Sequence, residues 1–160
     1  MTATAGLATA VLAASILAGS GSADPEVAVL PPSEAERMQQ CSRAGPPPFD
    51  GTWTPTPEQI SFLKGRLSGL VGMQSTACCL PGASIRTLSG MRIQVVGLVL
   101  SDTKARVLYL NGFAGLAETA GHDSWRTNAY IVCDGGSNHW GVLFDPETGT
   151  FSQLAFNGQA

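Results

Sequence analysis

The histidines and cysteines are the residues of this chain best suited to act as bases or nucleophiles. There are two histidines, His122 and His139, and four cysteines. Cys133, Asp134 and His139 lie close together in sequence, and a thiol beside an imidazole is the arrangement of a nucleophile and its base. Alternation along two predicted strands of a hairpin, however, places Cys133 on the opposite face from Asp134 and His139. We therefore predict no catalytic residue here and interpret Asp134 and His139 as a solvated pair at the hairpin mouth.

The four cysteines, Cys41, Cys78, Cys79 and Cys133, predict disulfides in an oxidising compartment. Four cysteines allow three connectivities, and sequence does not choose among them. We favour one of the adjacent pair joined to Cys41 and the other to Cys133, because neighbours in sequence pair with strain. A zinc site is the alternative, but adjacent cysteines lack the two-residue spacer of zinc sites. We predict no metal, and with no glycine-rich phosphate loop in the sequence we predict no cofactor.

Aromatic and polar residues on predicted loops and on an open sheet face are the candidates for binding. Trp53 follows a run of prolines, and Trp125 lies in a long loop predicted between two hairpins. Tyr130, Asp134 and His139 share the predicted face of the sheet that the helix leaves uncovered. Loops and open faces of this kind often carry binding residues. The alternative is structural, with each tryptophan covering part of the core.

One helix is predicted to support these residues. Thr56 as N-cap, Pro57 at the first helical position and Gln59 completing a capping box predict a helix from Thr56 to about Val71. Its apolar residues recur at three- and four-residue spacing and form one stripe, comprising Ile60, Leu63, Leu67, Leu70 and Val71.

The pattern becomes extended after Gly90, where runs rich in Val, Ile and Leu alternate with turn residues. It predicts five strands, at 92–100, 105–111, 127–134, 139–145 and 150–156. Ile131, Cys133, Trp140, Val142 and Phe144 are predicted to share one apolar face, which lies under the helix. The fold class is α+β, with one main amphipathic helix packed on a four- to five-stranded antiparallel meander. By analogy of shape this is a cystatin-like roll.

The N-terminal segment, residues 1–23, has the features of a signal peptide. It has no charged side chain and ends in Gly21-Ser22-Ala23, the small-x-small sequence of a signal peptidase site. Signal peptides normally carry Lys or Arg before the apolar run, and this one does not. The alternative interpretations are an apolar extension and a misassigned start codon.

Residues 24–55 are predicted to be an N-terminal arm that precedes the α+β domain at 56–160. Ser33-Glu34-Ala35-Glu36 has the pattern of a capping box and predicts a short helix to about Cys41. Three consecutive prolines predict a stiff loop over 45–53 with no regular structure.

Composition limits the class of partner. Charged residues make up 13% of the chain, the formal net charge is -3, and the nine Lys and Arg form no cluster. We therefore predict no nucleic-acid or membrane-surface partner. A membrane span needs about 20 apolar residues, so we predict no span in the mature chain.

The last third of the chain contains a series of short motifs: Val132-Cys133-Asp134-Gly135-Gly136, Trp140-Gly141-Val142, Phe144-Asp145-Pro146, Thr148-Gly149 and Leu154-Ala155-Phe156-Asn157-Gly158. This tail resembles that of small exported bacterial proteins of uncharacterised function. The resemblance implies a bacterial, exported protein and transfers no catalytic residue.

Taken together, these features predict a periplasmic or secreted protein with a binding function. We expect a small binding or inhibitor-like accessory protein whose partner is another envelope or extracellular protein. The alternatives are a small envelope hydrolase with an unrecognised site and a structural role in the envelope. The sequence favours a protein that is not an enzyme, and it predicts no oligomeric state.

Overall fold

The computed structural model of the chain describes residues 1, 24–39, 41–115 and 123–159. Most of the predicted signal peptide and His122 lie outside these ranges. None of the helices within them has the length and apolarity of a membrane span.

Within these ranges the chain forms one α-helix, six strands and several short 3-10 turns. The helix α1 spans Pro57–Arg66 and continues as a 3-10 turn over Leu67–Leu70. The strands are β1 (Glu26–Val29), β2 (Phe49–Trp53), β3 (Met91–Leu100), β4 (Arg106–Ala114), β5 (His139–Asp145) and β6 (Thr150–Phe156).

The strands form one mixed sheet in the order β1-β3-β4-β5-β6. One edge of β3 is shared by two short strands, because β1 pairs parallel with its first half and β2 pairs antiparallel with its second half. All other pairings are antiparallel. The predicted α+β class is confirmed and the meander from β3 to β6 largely fits, but parallel β1 makes the sheet mixed. The cystatin-like analogy stays a prediction.

The predicted strand at 127–134 is wrong. This segment is irregular after a 3-10 turn at Ser124–Arg126, and β5 pairs with β4 instead, with Leu110 opposite Val142. The hairpin predicted around Gly135 is therefore absent, and with it the alternation used to assign faces to residues 130–134. Buried side chains from the sheet hydrogen-bond the main chain of this segment, as described below.

Three predictions for the N-terminal arm are also corrected. The start of the arm, for which no strand was predicted, forms β1, which pairs with the first half of β3. The stiff loop ends in β2, which begins just after the last of its prolines. The predicted helix from Ser33 is two 3-10 turns, Pro32–Glu34 and Glu36–Met38.

One face of the sheet is covered by α1. The helix begins with a complete capping box, in which Gln59 N–H donates to Thr56 Oγ1 and Thr56 N–H donates to Gln59 Oε1. Ile60, Leu63, Leu67 and Leu70 pack on Trp140, Val142 and Phe144, as predicted. Leu63, Trp140 and Phe144 are fully buried there.

Three residues predicted to lie between the helix and the sheet are exposed instead. Val71, which was predicted to belong to the same stripe, is 49% exposed after the 3-10 turn. Ile131 and Cys133 were also predicted to lie under the helix, but both are exposed because residues 127–134 do not form a strand of the sheet.

The opposite face is covered by the N-terminal arm. Leu30, Ala35 and Met38 pack on Val96, Leu98, Tyr109 and Leu143. A third apolar cluster, made by Ala28, Phe113 and Trp125, lies beside it. Between these clusters the buried residues are polar, and they position the candidate site.

Candidate functional site

The cysteines pair differently from the favoured prediction. Cys41 is bonded to Cys133, with Cα atoms 4.8 Å apart, and Cys78 is bonded to Cys79. The arm brings Cys41 over the polar face to the irregular segment. Cys79 lies beside the last residue of β6, where its N–H donates to Phe156 O. Both partners of Cys41–Cys133 are exposed, so this disulfide lies at the surface.

The disulfides also bear on the chemistry considered from the sequence. No free cysteine remains, so Cys133 is not available as a thiol nucleophile. Within the described ranges, no group of three or more His, Cys, Asp or Glu side chains is placed to hold a metal ion.

Residues 129–135, here called the 129–135 segment, have no regular structure but have a firmly held main chain. Gln94 Oε1 accepts from Tyr130 N–H at 2.9 Å, and Asn111 Nδ2 donates to Tyr130 O at 2.9 Å. Gln94 and Asn111 are both buried and are opposite one another in the β3–β4 pair. Their amides also bond to each other, with Asn111 Nδ2 and Gln94 Oε1 3.0 Å apart.

Two further buried side chains hold the ends of the segment. Glu34 Oε2 accepts from Ala129 N–H at 2.8 Å. Asn157 Nδ2 donates to Val132 O at 2.6 Å and to Asp134 O at 3.0 Å. Because the arm, the sheet and the C-terminal tail all contribute, the segment has one well-defined path across the molecule.

The side chains of the 129–135 segment divide between the interior and the surface. The Tyr130 ring packs on Phe113, with centroids 4.4 Å apart, and lies near-parallel to the His139 ring at 6.4 Å. Ile131 is 46% exposed, and Asp134 is also exposed. An apolar side chain with an acidic neighbour and an aromatic edge is thus presented to the exterior.

Of the five predicted binding residues, the structure brings together the rings of Tyr130 and His139. Asp134 is exposed and precedes Gly135, over which the His139 ring lies.

Trp125 adjoins Tyr130 through Phe113, 5.8 Å away ring to ring, but it is 2% exposed and cannot contact a partner. The position of Trp125 fits the alternative interpretation, in which this tryptophan covers part of the core.

Trp53 is distant from this group, in β2 opposite Gly97. Its indole N–H donates to Leu98 O at 3.0 Å, and the guanidinium of Arg106 lies 4.1 Å from its ring centroid. These contacts hold β2 onto the sheet, so the structural interpretation also accounts for Trp53.

His139 is half-buried, and burial lowers the pKa of its imidazole below the ordinary value of 6.5. The Gly135 carbonyl oxygen, 3.5 Å from Nδ1, opposes this shift, and the charge of Arg43 adds to it. The predicted pair with Asp134 is not among the ion pairs of the described residues. The ring lies over the main chain of Gly135 instead.

Sequence reasoning missed the role of the four side chains that hold the 129–135 segment: Glu34, Gln94, Asn111 and Asn157. Gln94 and Asn111 interrupt two strongly apolar strand patterns, and buried polar side chains are nearly always hydrogen-bonded. A polar residue within each apolar strand could therefore have indicated that these two side chains are buried and hydrogen-bonded. Nothing in the sequence indicated that their partners would be main-chain atoms of the 129–135 segment.

The geometry presents a rigid, partly apolar surface and, within the described residues, no nucleophile paired with a base. Comparison with known proteins finds no matching family model, no matching curated protein and no matching solved structure.

Proposed function

We propose that the chain is an exported, periplasmic or secreted, binding protein that presents the 129–135 segment to another envelope or extracellular protein. One observation carries the proposal. Five hydrogen bonds from four buried side chains hold the main chain of this irregular segment, while Ile131 is exposed.

Holding a segment in place before binding favours affinity. Association orders loops and side chains at a cost of about 0.5–1.5 kcal/mol for each immobilised flexible side chain. A segment already fixed in the free protein avoids most of that cost, and such interfaces move little on binding. This is the behaviour expected of an inhibitor-like protein.

The surface chemistry indicates the kind of partner. Ile131 provides an apolar centre, Tyr130 and His139 an aromatic edge, and Asp134 a charged rim, which is the usual composition of a protein interface. The partner would offer an apolar pocket for a branched aliphatic side chain. The surface disulfide Cys41–Cys133, which joins the segment to the N-terminal arm, supports an oxidising compartment.

The experiment is site-specific photocrosslinking in cells of the source organism. A photoreactive amino acid replaces Ile131 in one variant and Val71, 49% exposed after α1, in a matched control. We expect one discrete protein adduct from position 131, in the envelope or medium, and none from position 71. The absence of an adduct at 131, or the same adduct from both positions, would overturn the proposal.

Export is tested separately by the intact mass of the protein expressed with its own N-terminus. We expect the mature chain to begin at Asp24, with thiols that alkylate only after reduction. A retained N-terminal segment with four free thiols would contradict export.

A further inference from the structure

Two of the nine Lys and Arg side chains differ from the others in having no partner. Seven contact a carboxylate, an aromatic ring or a buried amide oxygen: Arg37, Arg43, Arg66, Arg92, Lys104, Arg106 and Arg126. Lys64 and Arg86 make no ion pair, side-chain hydrogen bond or ring contact with any residue that the structure describes. Both of them line the same cleft. The fold therefore brings together the two cations that remain free to bind an anion.

The cleft lies between α1 and the loop that precedes β3, and its volume is about 580 Å³. This volume is within the range of about 300–1,000 Å³ that is usual for small-molecule sites. Lys64 belongs to α1 and Arg86 to the loop, and both residues are exposed. A ligand in the cleft can therefore reach a cation on each of two walls.

Three hydroxyl groups line the cleft together with these cations, those of Ser68, Thr87 and Ser89. Thr87 Oγ1 accepts a hydrogen bond from Ser89 N–H at 3.0 Å, which holds the loop at this point. A hydroxyl group that accepts one hydrogen bond still has its own proton to donate. The lining thus offers several donors to the oxygens of one anion.

The rest of the lining is mostly apolar. Leu67 and Leu88 are buried, and Val71 is 49% exposed. The only carboxylate among the lining residues is that of Asp24, which forms no ion pair with either cation. A ligand that matches this cleft combines a negatively charged group with an apolar part.

We propose that this cleft binds a small phosphate monoester that carries an apolar group. A phosphate monoester has about 1.5 to 2 negative charges at pH 7, which matches two cations, whereas a monocarboxylate would leave one of them unmatched. Arg binds phosphate through its planar fork of donors and Lys binds it as a point charge. The hydroxyl groups would donate to the remaining oxygens, and the apolar group would lie against Leu67, Val71 and Leu88. This inference does not rest on the proposed function, since the cleft and the 129–135 segment share no residue.

The experiment titrates the purified chain with phenyl phosphate and follows the backbone amides of residues 86–89 by proton–nitrogen NMR. We expect saturable shifts at these amides. Inorganic phosphate lacks the apolar group and should bind about tenfold more weakly, and benzoate, with one negative charge, should also bind more weakly. The absence of a saturable shift with phenyl phosphate, or equal affinity for benzoate, would overturn the proposal.

Four variants test the contacts without altering the core, because each replaced side chain is exposed. Lys64→Gln and Arg86→Gln should each weaken the binding of phenyl phosphate about fivefold. Asp24→Asn removes the carboxylate from the lining and should tighten it. Arg66→Gln loses the same charge on the same helix but lies outside the cleft, so this matched control should bind as the unaltered chain does. Equal weakening in Arg66→Gln and Lys64→Gln would also overturn the proposal, because only the net charge of the protein would then matter.

A soluble ester and a lipid headgroup offer the same phosphate chemistry. Phosphatidylcholine vesicles with and without phosphatidic acid, whose headgroup is a phosphate monoester, form the second arm of the test. We expect no co-sedimentation of the chain with either kind of vesicle, which together with binding of phenyl phosphate identifies a soluble ester as the source. Co-sedimentation that requires phosphatidic acid and is lost in Arg86→Gln identifies a lipid headgroup in the same cleft.

Discussion

The two faces of the sheet are stabilised by different kinds of interaction. The face under α1 is filled by apolar side chains such as Leu63, Trp140 and Phe144. The face under the N-terminal arm has apolar clusters too, but its centre is a hydrogen-bonded network that includes Gln94, Asn111 and Asn157. Burial of apolar side chains stabilises a fold without requiring a particular orientation of the groups in contact. Buried amides form hydrogen bonds, which fix the position of the main-chain groups that they contact.

The difference shows how one sheet can provide both stability and a presented surface. The helix face needs only well-packed residues, and regular elements supply them. The arm face must hold an irregular segment in one conformation, so it requires acceptors and donors at fixed positions. Substitutions on the two faces should therefore differ in how much stability they remove and in where the structure loosens.

Replacing Trp140 by Ala should cause the largest loss of stability. The ring is fully buried and lies over Gly112, and its indole N–H has no partner. The change therefore removes packing alone, and we expect the free energy of unfolding to fall by about 3–5 kcal/mol. Urea denaturation measures this. A loss under about 1 kcal/mol would show that the helix face does not dominate stability.

Removing the Cys41–Cys133 disulfide should cost about 2–4 kcal/mol under oxidising conditions. The bond joins residues separated by 92 positions, so it restricts the unfolded chain strongly. The double variant Cys41→Ser/Cys133→Ser is compared with Cys78→Ser/Cys79→Ser, which opens no loop of comparable length. If the two double variants lost the same free energy of unfolding, Cys41–Cys133 would not be the disulfide that stabilises the arm on the sheet.

Asn157→Ala should destabilise the protein by about 1–3 kcal/mol, because the fully buried Asn157 amide no longer donates to the Val132 and Asp134 carbonyls. The effect should be local as well, with faster amide hydrogen exchange in the 129–135 segment than under α1. Asn128→Ala is the matched control, since Asn128 is exposed and its loss should change stability by at most about 0.5 kcal/mol. If amide exchange became faster by the same factor across the whole sheet, Asn157 would not be holding the 129–135 segment in particular.

The smallest effect concerns pH. Because burial lowers the native pKa of His139 below its ordinary value of 6.5, the unfolded chain binds more protons than the native protein between those two values. Stability should therefore be full above about pH 6.5 and fall as the pH drops through the native pKa. His139→Gln should remove this part of the pH dependence and leave any contribution of His122. A native His139 pKa above 6.5 by NMR would contradict the prediction.

Much of the helix-face architecture was accessible from the sequence. Thr56, Pro57 and Gln59 fixed the start of α1, and alternation located β3, β4, β5 and β6 closely. On the arm face the same reasoning failed for residues 127–134, whose alternation is typical of a strand. Gln94 and Asn111 bond to this stretch, and they lie far from it in sequence, so no local pattern reveals that its backbone is held by side chains.

The candidate site depends on the same long-range contacts, so the sequence indicated some of its surface residues but not the side chains that hold them. Tyr130, Asp134 and His139 were grouped from an incorrect hairpin, yet the rings of Tyr130 and His139 do lie near-parallel, 6.4 Å apart. Trp53 and Trp125 were chosen for residue type, but Trp125 is buried, and Trp53 is half-buried in β2, where it packs against the guanidinium of Arg106.

The α+β class, the capped helix and the strands of the meander follow from local sequence signals, which act between residues at most a few positions apart. The pairing of Cys41 with Cys133, the shared edge of β3 and the amide network that holds the 129–135 segment depend on the tertiary structure. Each of these joins residues distant along the chain. Their partners are selected by which groups meet once both faces of the sheet are covered.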